Sequence, residues 1–131
     1  MAAKIAVVDT SLLIDFFRKS DKSNSKLILL IDNGYKFCIS AITEYEIYTG
    51  ATTAQMDYWK KFLKNIEVLN FDSAAVVKAV AINKALKIKS RQIAMADLFI
   101  AAIAISNNLP IATLNKKHFE RVDDLALIDM E

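Results

Sequence analysis

The chain has 131 residues, 54% hydrophobic and 24% charged, which suits one domain spanning residues 1–131 and excludes a disordered chain. Its 2 glycines and 1 proline exclude collagen-like, linker-rich and turn-dense all-β designs, and neither G-x-G-x-x-G nor a P-loop signature occurs. The 17 basic and 15 acidic residues leave a net charge of +2, which by itself does not argue for nucleic acid.

The elements alternate along the chain. Residues 4–8 read as a short buried strand, β-branched and apolar. Thr10 or Ser11 is the expected cap of a helix reaching about Arg18. Ser23, Asn24 and Ser25 open a second helix that Gly34 closes. Residues 36–40 form a second strand, and a helix over 41–49 stops at Gly50. Residues 53–65 are amphipathic, with Met56, Trp59, Phe62 and Leu63 along one stripe. A third strand covers 66–71, and Asp72 or Ser73 caps a long helix into Leu86. Residues 95–107 are almost wholly apolar, as in a helix buried on more than one side. A fourth strand covers 110–114, a turn or short helix lies near 117–119, and a short last strand covers 126–128. No segment reaches the length of a membrane span, and Met1 to Lys4 open no signal-peptide core.

Strands spaced by helices imply an α/β fold with a parallel sheet covered on both faces. Ligands of such sheets bind beyond the carboxyl ends of the strands, where strand order reverses.

One cysteine, Cys38, excludes an internal disulfide, and one histidine, His118, excludes a Cys/His zinc cage. Both absences fit a reducing cytoplasm. Cys38 sits between Phe37 and Ile39, the setting of an inert buried thiol. The carboxylates are more informative. Asp9 directly follows the first strand, and Thr10 or Ser11 can already cap the next helix, which leaves Asp9 less structural reason to exist. Asp97 opens the most apolar helix, where the helix dipole favours it and partial burial demands partners. Glu44 and Glu46 are two residues apart, so only one faces a given site, and periodicity does not choose between them. Asn115 follows the fourth strand and is either a turn residue or an oxygen ligand. All-oxygen clusters suit Mg²⁺ or Mn²⁺, and such an ion suits phosphodiester cleavage because it neutralises phosphate charge and lowers the pKa of water. Residues 60–91 hold eight lysines and arginines against Glu67 and Asp72, read either as solvated helix faces or as a phosphate-facing surface beside the acidic pocket.

Four stretches carry a resemblance to a known family. They are Val7-Val8-Asp9-Thr10-Ser11, Thr43-Glu44-Tyr45-Glu46-Ile47 with Gly50, Ala96-Asp97-Leu98-Phe99 opening an alanine-rich run, and Thr113-Leu114-Asn115. In this order and spacing the chain resembles the PIN domains, and within them the VapC-type toxins of toxin–antitoxin pairs. The resemblance implies a three-layer α/β/α fold with a parallel sheet of four to five strands. It selects Glu46 over Glu44. It implies a metal-dependent endoribonuclease selective for single strands, with Asp9 and Asp97 as direct Mg²⁺ ligands and Glu46 acting directly or through water. Asn115 completes the catalytic set, and Thr10, Ser11 and Thr113 orient carboxylates. A homodimer and a cognate antitoxin are further implications. The chain departs from many relatives at Asn115, where they carry Asp, and at Leu114, where they carry a basic residue. A catalytically weak binding module for RNA or protein is the competing reading. Phosphoryl transfer through Asp9 is disfavoured because Ser11 stands where a second Asp is needed.

Overall fold

The computed structural model describes residues 4–130. The expectation about Met1 to Ala3 therefore lies outside the described residues. In chain order the elements are β1 (Lys4–Val8), α1 (Thr10–Arg18), a 3₁₀ turn (Lys22–Asn24), α2 (Lys26–Asp32), β2 (Tyr35–Ser40), α3 (Ala41–Gly50) and α4 (Thr53–Leu63). They continue as β3 (Val68–Leu69), α5 (Ser73–Ile88), α6 (Met95–Ser106), β4 (Ile111–Ala112) and α7 (Lys116–Phe119).

Local sequence fixes most helix starts. The Ser25, Ser40 and Asp72 side chains accept from backbone N–H groups of the first turns of α2, α3 and α5. Thr52 and Gln55 form a reciprocal capping box at α4. Gly34 takes φ +92° just beyond α2, a left-handed conformation that favours glycine. Helix α1 departs from expectation. Asp9, rather than Thr10 or Ser11, occupies its N-cap position, and the Asp9 side chain makes no capping bond.

The sheet is parallel throughout, in the order β3-β2-β1-β4. The chain builds outward from β1 through β2 to β3, then returns to β1's other side with β4. Strand order thus reverses between β1 and β4, and the crevice at their carboxyl ends is the expected ligand position. Strands β3 and β4 have only two residues each, shorter than the 66–71 and 110–114 expected. The 126–128 segment adds a single bridge, Ile111 to Leu127, rather than a fifth strand. The Leu109 N–H is turned back to the Ala104 carbonyl of α6 at 3.0 Å, and the Pro110 carbonyl accepts from Val7 N–H at 2.9 Å ahead of the strand proper.

The period-two alternation of β1 divides the core. Ala6 and Val8 face one cluster with Leu12, Leu13, Leu30 and Trp59 from α1, α2 and α4. Val7 faces the other with Ile100, Ala101 and Ala104 from α6 and Phe119 from α7. Two helical layers therefore enclose the sheet, as the alternating elements require. Small Ala101, Ala102 and Ala104 are completely buried, which lets α6 approach its neighbours closely. No helix among the described residues is long and apolar enough to cross a membrane.

Cys38 is buried on β2, and burial with the nearby Glu67 charge pushes its thiol up to about 11. Its contact is the Ala6 carbonyl, whereas His118 pairs with Asp97, so the two do not form a nucleophilic couple. Iodoacetamide at neutral pH is expected to leave the native thiol unmodified and to label it after unfolding in urea, read by mass spectrometry. Rapid labelling of the native protein would contradict the burial.

Candidate active site

The crevice at the reversal point is a cleft of about 670 Å³. Asp9, Glu46, Asp97 and Asn115 all line it. They come from the end of β1, from α3, from the first turn of α6 and from the turn after β4. Glu46 lines the cleft and Glu44 does not.

Each carboxylate has a dedicated partner. Asp9 is only 2% exposed. The Ser11 hydroxyl donates to its Oδ1 at 2.6 Å and the Thr113 hydroxyl to its Oδ2 at 2.7 Å. These hydroxyls also fix the turn after β4, because Ser11 Oγ accepts from Leu114 N–H at 3.0 Å and Thr113 Oγ1 from Asn115 N–H at 2.9 Å. Thr10 Oγ1 donates to Glu46 Oε1 at 2.6 Å and lies 3.2 Å from Thr43 Oγ1. Asp97 Oδ2 lies 3.1 Å from His118 Nδ1, its side chain 18% exposed. The three hydroxyls expected to orient carboxylates thus do so, Ser11 and Thr113 on Asp9 and Thr10 on Glu46.

Burial raises the Asp9 pKa above its ordinary 3.8, and hydrogen bonds from Ser11 and Thr113 pull against that rise. The Leu12 N–H adds a weaker pull without a well-formed bond, and the Asp97 charge pushes the value further up. A buried carboxylate pressed by a second carboxylate is a site that gains from a cation. The donor chemistry is all oxygen. Among the described residues no group of three or more histidine, cysteine, aspartate or glutamate side chains is placed to hold a metal ion together. Mg²⁺ needs no such group, since it binds through one or two carboxylates and keeps several waters. The residues therefore fit a hard divalent ion.

The basic stretch at 60–91 does not border this cleft. Its side chains are exposed on and around α4 and α5, and Lys89 pairs with Asp123 at 2.9 Å. The expectation of a basic surface beside the acidic pocket is not met, because none of these eight side chains lines the cleft. The cations at the cleft are Arg18 and Lys19, from the last turn and C-cap of α1. Asp15 also lines it but is committed to structure, pairing with Lys19 at 3.6 Å and accepting from Lys26 N–H at 3.0 Å. The sequence reading missed Arg18, Lys19 and His118. No local pattern marks His118, since its role depends on α7 folding onto α6.

Residues 6–125 match the family description of the PIN domain. The chain is 34% identical over 122 residues to Ribonuclease VapC1 of Methanocaldococcus jannaschii, covering 92% of this chain and 83% of that protein. It is 32% identical over 128 residues to the tRNA(fMet)-specific endonuclease VapC of Shigella flexneri, covering 94% of this chain and 96% of that protein. Its fold is similar to a chain of the DNA-bound VapBC structure from Salmonella typhimurium, with a TM-score of 0.82, 26% identity, and coverage of 99% and 100%. The strand reversal, the carboxylate-lined crevice and a match over nearly the whole length agree: the chain belongs to the PIN domain family, in its VapC branch.

Proposed function

We propose that the protein is an Mg²⁺-dependent endoribonuclease, the toxin component of a VapBC-type toxin–antitoxin module acting in the cytoplasm. The observation that carries this reading is the buried Asp9 carboxylate facing the charge of Asp97 in one open cleft. The relatives named above, ribonucleases and an antitoxin-bearing complex, support the substrate and the partner. A homodimer and a cognate antitoxin belong to the same reading.

Asp9 and Asp97 would hold the ion, and Mn²⁺ suits the same oxygens. When bound, the ion neutralises phosphate charge and acidifies water. The protein's own groups do the positioning. Ser11 and Thr113 hold both Asp9 oxygens, and His118 restrains Asp97. Glu46, aimed by Thr10, stands at the cleft to orient water or accept its proton. Asn115 offers a neutral oxygen beside them. Arg18 and Lys19 at the rim attract the phosphate backbone.

The test is incubation of the purified protein with single-stranded RNA in Mg²⁺, in Mn²⁺ and in EDTA. Cleavage should require the ion, stop in EDTA and return when Mg²⁺ is restored. Intact RNA at every Mg²⁺ and Mn²⁺ concentration would leave a binding module instead.

A further inference from the structure

Beside the acidic cleft lies a second hollow of about 490 Å³. The two share Leu114 and Asn115, which stand as a ridge between them. Its walls differ in character from those of the first. Lys26 comes from the start of α2, and Lys116, Lys117 and His118 come from α7, with Leu114 and Met130 supplying apolar surface. Lys116 is engaged with Asp129 at 3.5 Å. The Lys26 and Lys117 side chains are different: both residues are exposed, and neither ammonium has a carboxylate partner among the described residues. Leu114 is 44% exposed and offers an aliphatic surface beside these charged residues. His118 lines this hollow while its Nδ1 reaches Asp97 in the acidic cleft, so the two depressions are joined by a hydrogen bond as well as by the ridge.

We propose that this hollow is a nucleotide subsite, holding one nucleotide of a single RNA strand next to the bond cleaved at Asp9 and Asp97. The assignment rests on the reading of the acidic cleft as a ribonuclease site. The volume falls within the range of roughly 300–1,000 Å³ usual for small-ligand sites. Free ammonium groups beside an exposed aliphatic surface match the two halves of a nucleotide. Lys26 and Lys117 take the phosphate, and the base lies against Leu114. The charge order along the groove supports a polyanion that runs through it. Arg18 and Lys19 line the acidic cleft and Lys26 and Lys117 line the hollow beyond the ridge, so cations border both depressions. A strand crossing the ridge would meet cations in both depressions, with its scissile phosphate at Asp9 and Asp97, the residues that would hold the ion. The two depressions meet at the Leu114–Asn115 ridge, so a single unpaired strand can lay one nucleotide in each.

The experiment measures steady-state cleavage of a short fluorescent single-stranded RNA in Mg²⁺ over a series of salt concentrations. It compares wild type with Lys26→Ala, Lys117→Ala and the double variant. Lys117→Arg tests retention of charge, and Lys84→Ala with Lys87→Ala on α5 serves as the remote control. All substituted lysines are exposed, so equal melting temperatures are expected and are checked first. The proposal expects the double variant to raise KM at least about tenfold while kcat stays within about twofold. It expects the dependence of log(1/KM) on log salt to flatten by about 0.7 for each lysine that touches a phosphate. Lys117→Arg should keep the wild-type salt slope because it keeps the charge, and the α5 variants should match wild type. Cleaving variants with unchanged KM and salt slope would overturn the subsite and leave the ribonuclease reading standing. Unchanged RNA kinetics with lost affinity for an acidic peptide would overturn it in favour of a protein-binding hollow. A wild type that cleaves no RNA with either ion would overturn both.

Discussion

Asp9→Asn is expected to cut RNA at a rate lower by about 10²–10³ or more while remaining fully folded, and Asp97→Asn is expected to do the same. The magnitude follows from a bound ion supplying several kcal/mol of charge stabilisation at the phosphate, where each 1.36 kcal/mol is roughly tenfold in rate. The folded state should survive because the Asn side chain keeps an oxygen for one hydroxyl donor, and the other hydroxyl can turn to accept. Asp9→Asn should in fact melt higher than wild type at neutral pH without added metal. Burial and the Asp97 charge raise the Asp9 pKa in the folded protein, so its ionised form costs folding free energy. Below the ordinary value of 3.8 both folded and unfolded chains hold the proton, and this cost is absent. It grows as pH rises from there up to the folded pKa, because over that window the unfolded chain has released a proton that the folded state still binds, and it is fully present above the folded pKa. The melting advantage of Asp9→Asn should therefore appear at neutral pH and vanish in acid. Cleavage by either variant at the wild-type rate would break the site assignment. A lower neutral melting temperature for Asp9→Asn would mean that the Ser11 and Thr113 hydrogen bonds outweigh the burial.

Phe119→Ala should produce the largest loss of stability, about 3–5 kcal/mol. Phe119 is completely buried and sits in the cluster with Val7, Ile100, Ile111 and Val122. Helix α7 has only four residues and cannot be stable by its own hydrogen bonds. Its aromatic anchor holds it, and with it His118 against Asp97. Small domains have only about 5–15 kcal/mol in total, so the variant should unfold at a much lower urea midpoint with little change in slope. Phe119→Leu should lose considerably less. A loss below about 1 kcal/mol for Phe119→Ala would show that α7 is fixed by other contacts.

The parts of this molecule legible in its sequence are those with local causes. Strand β1 ends in the apolar run Ala6–Val8, completely buried, and α6 is apolar all round because the sheet and α5 both cover it. Asp9 could be singled out because other residues were available to cap α1, and the structure directs its carboxylate to Ser11 and Thr113 rather than to the helix N-terminus. Choosing Glu46 over Glu44 took the family resemblance, since helical spacing separates the two without saying which faces Thr10. What failed to show is what depends on assembly. Strands β3 and β4 have only two residues each, with Glu67 and Pro110 each adding a single carbonyl contact to the neighbouring strand. The basic run at 60–91 dominates the charge profile, yet topology places it away from the cleft. The two cations that line the cleft, Arg18 and Lys19, looked like the ordinary basic end of a helix. His118 joins Asp97 from 21 positions further along the chain and leaves no periodic trace.

The most direct test of the central claim is titration of Mn²⁺ into the purified protein, followed by electron paramagnetic resonance of the free ion. The account predicts that wild type binds the ion and that Asp9→Asn and Asp97→Asn each weaken binding by at least about tenfold, with unchanged circular dichroism. Folded variants that bind Mn²⁺ as tightly as wild type, or a wild type that binds none, would contradict it.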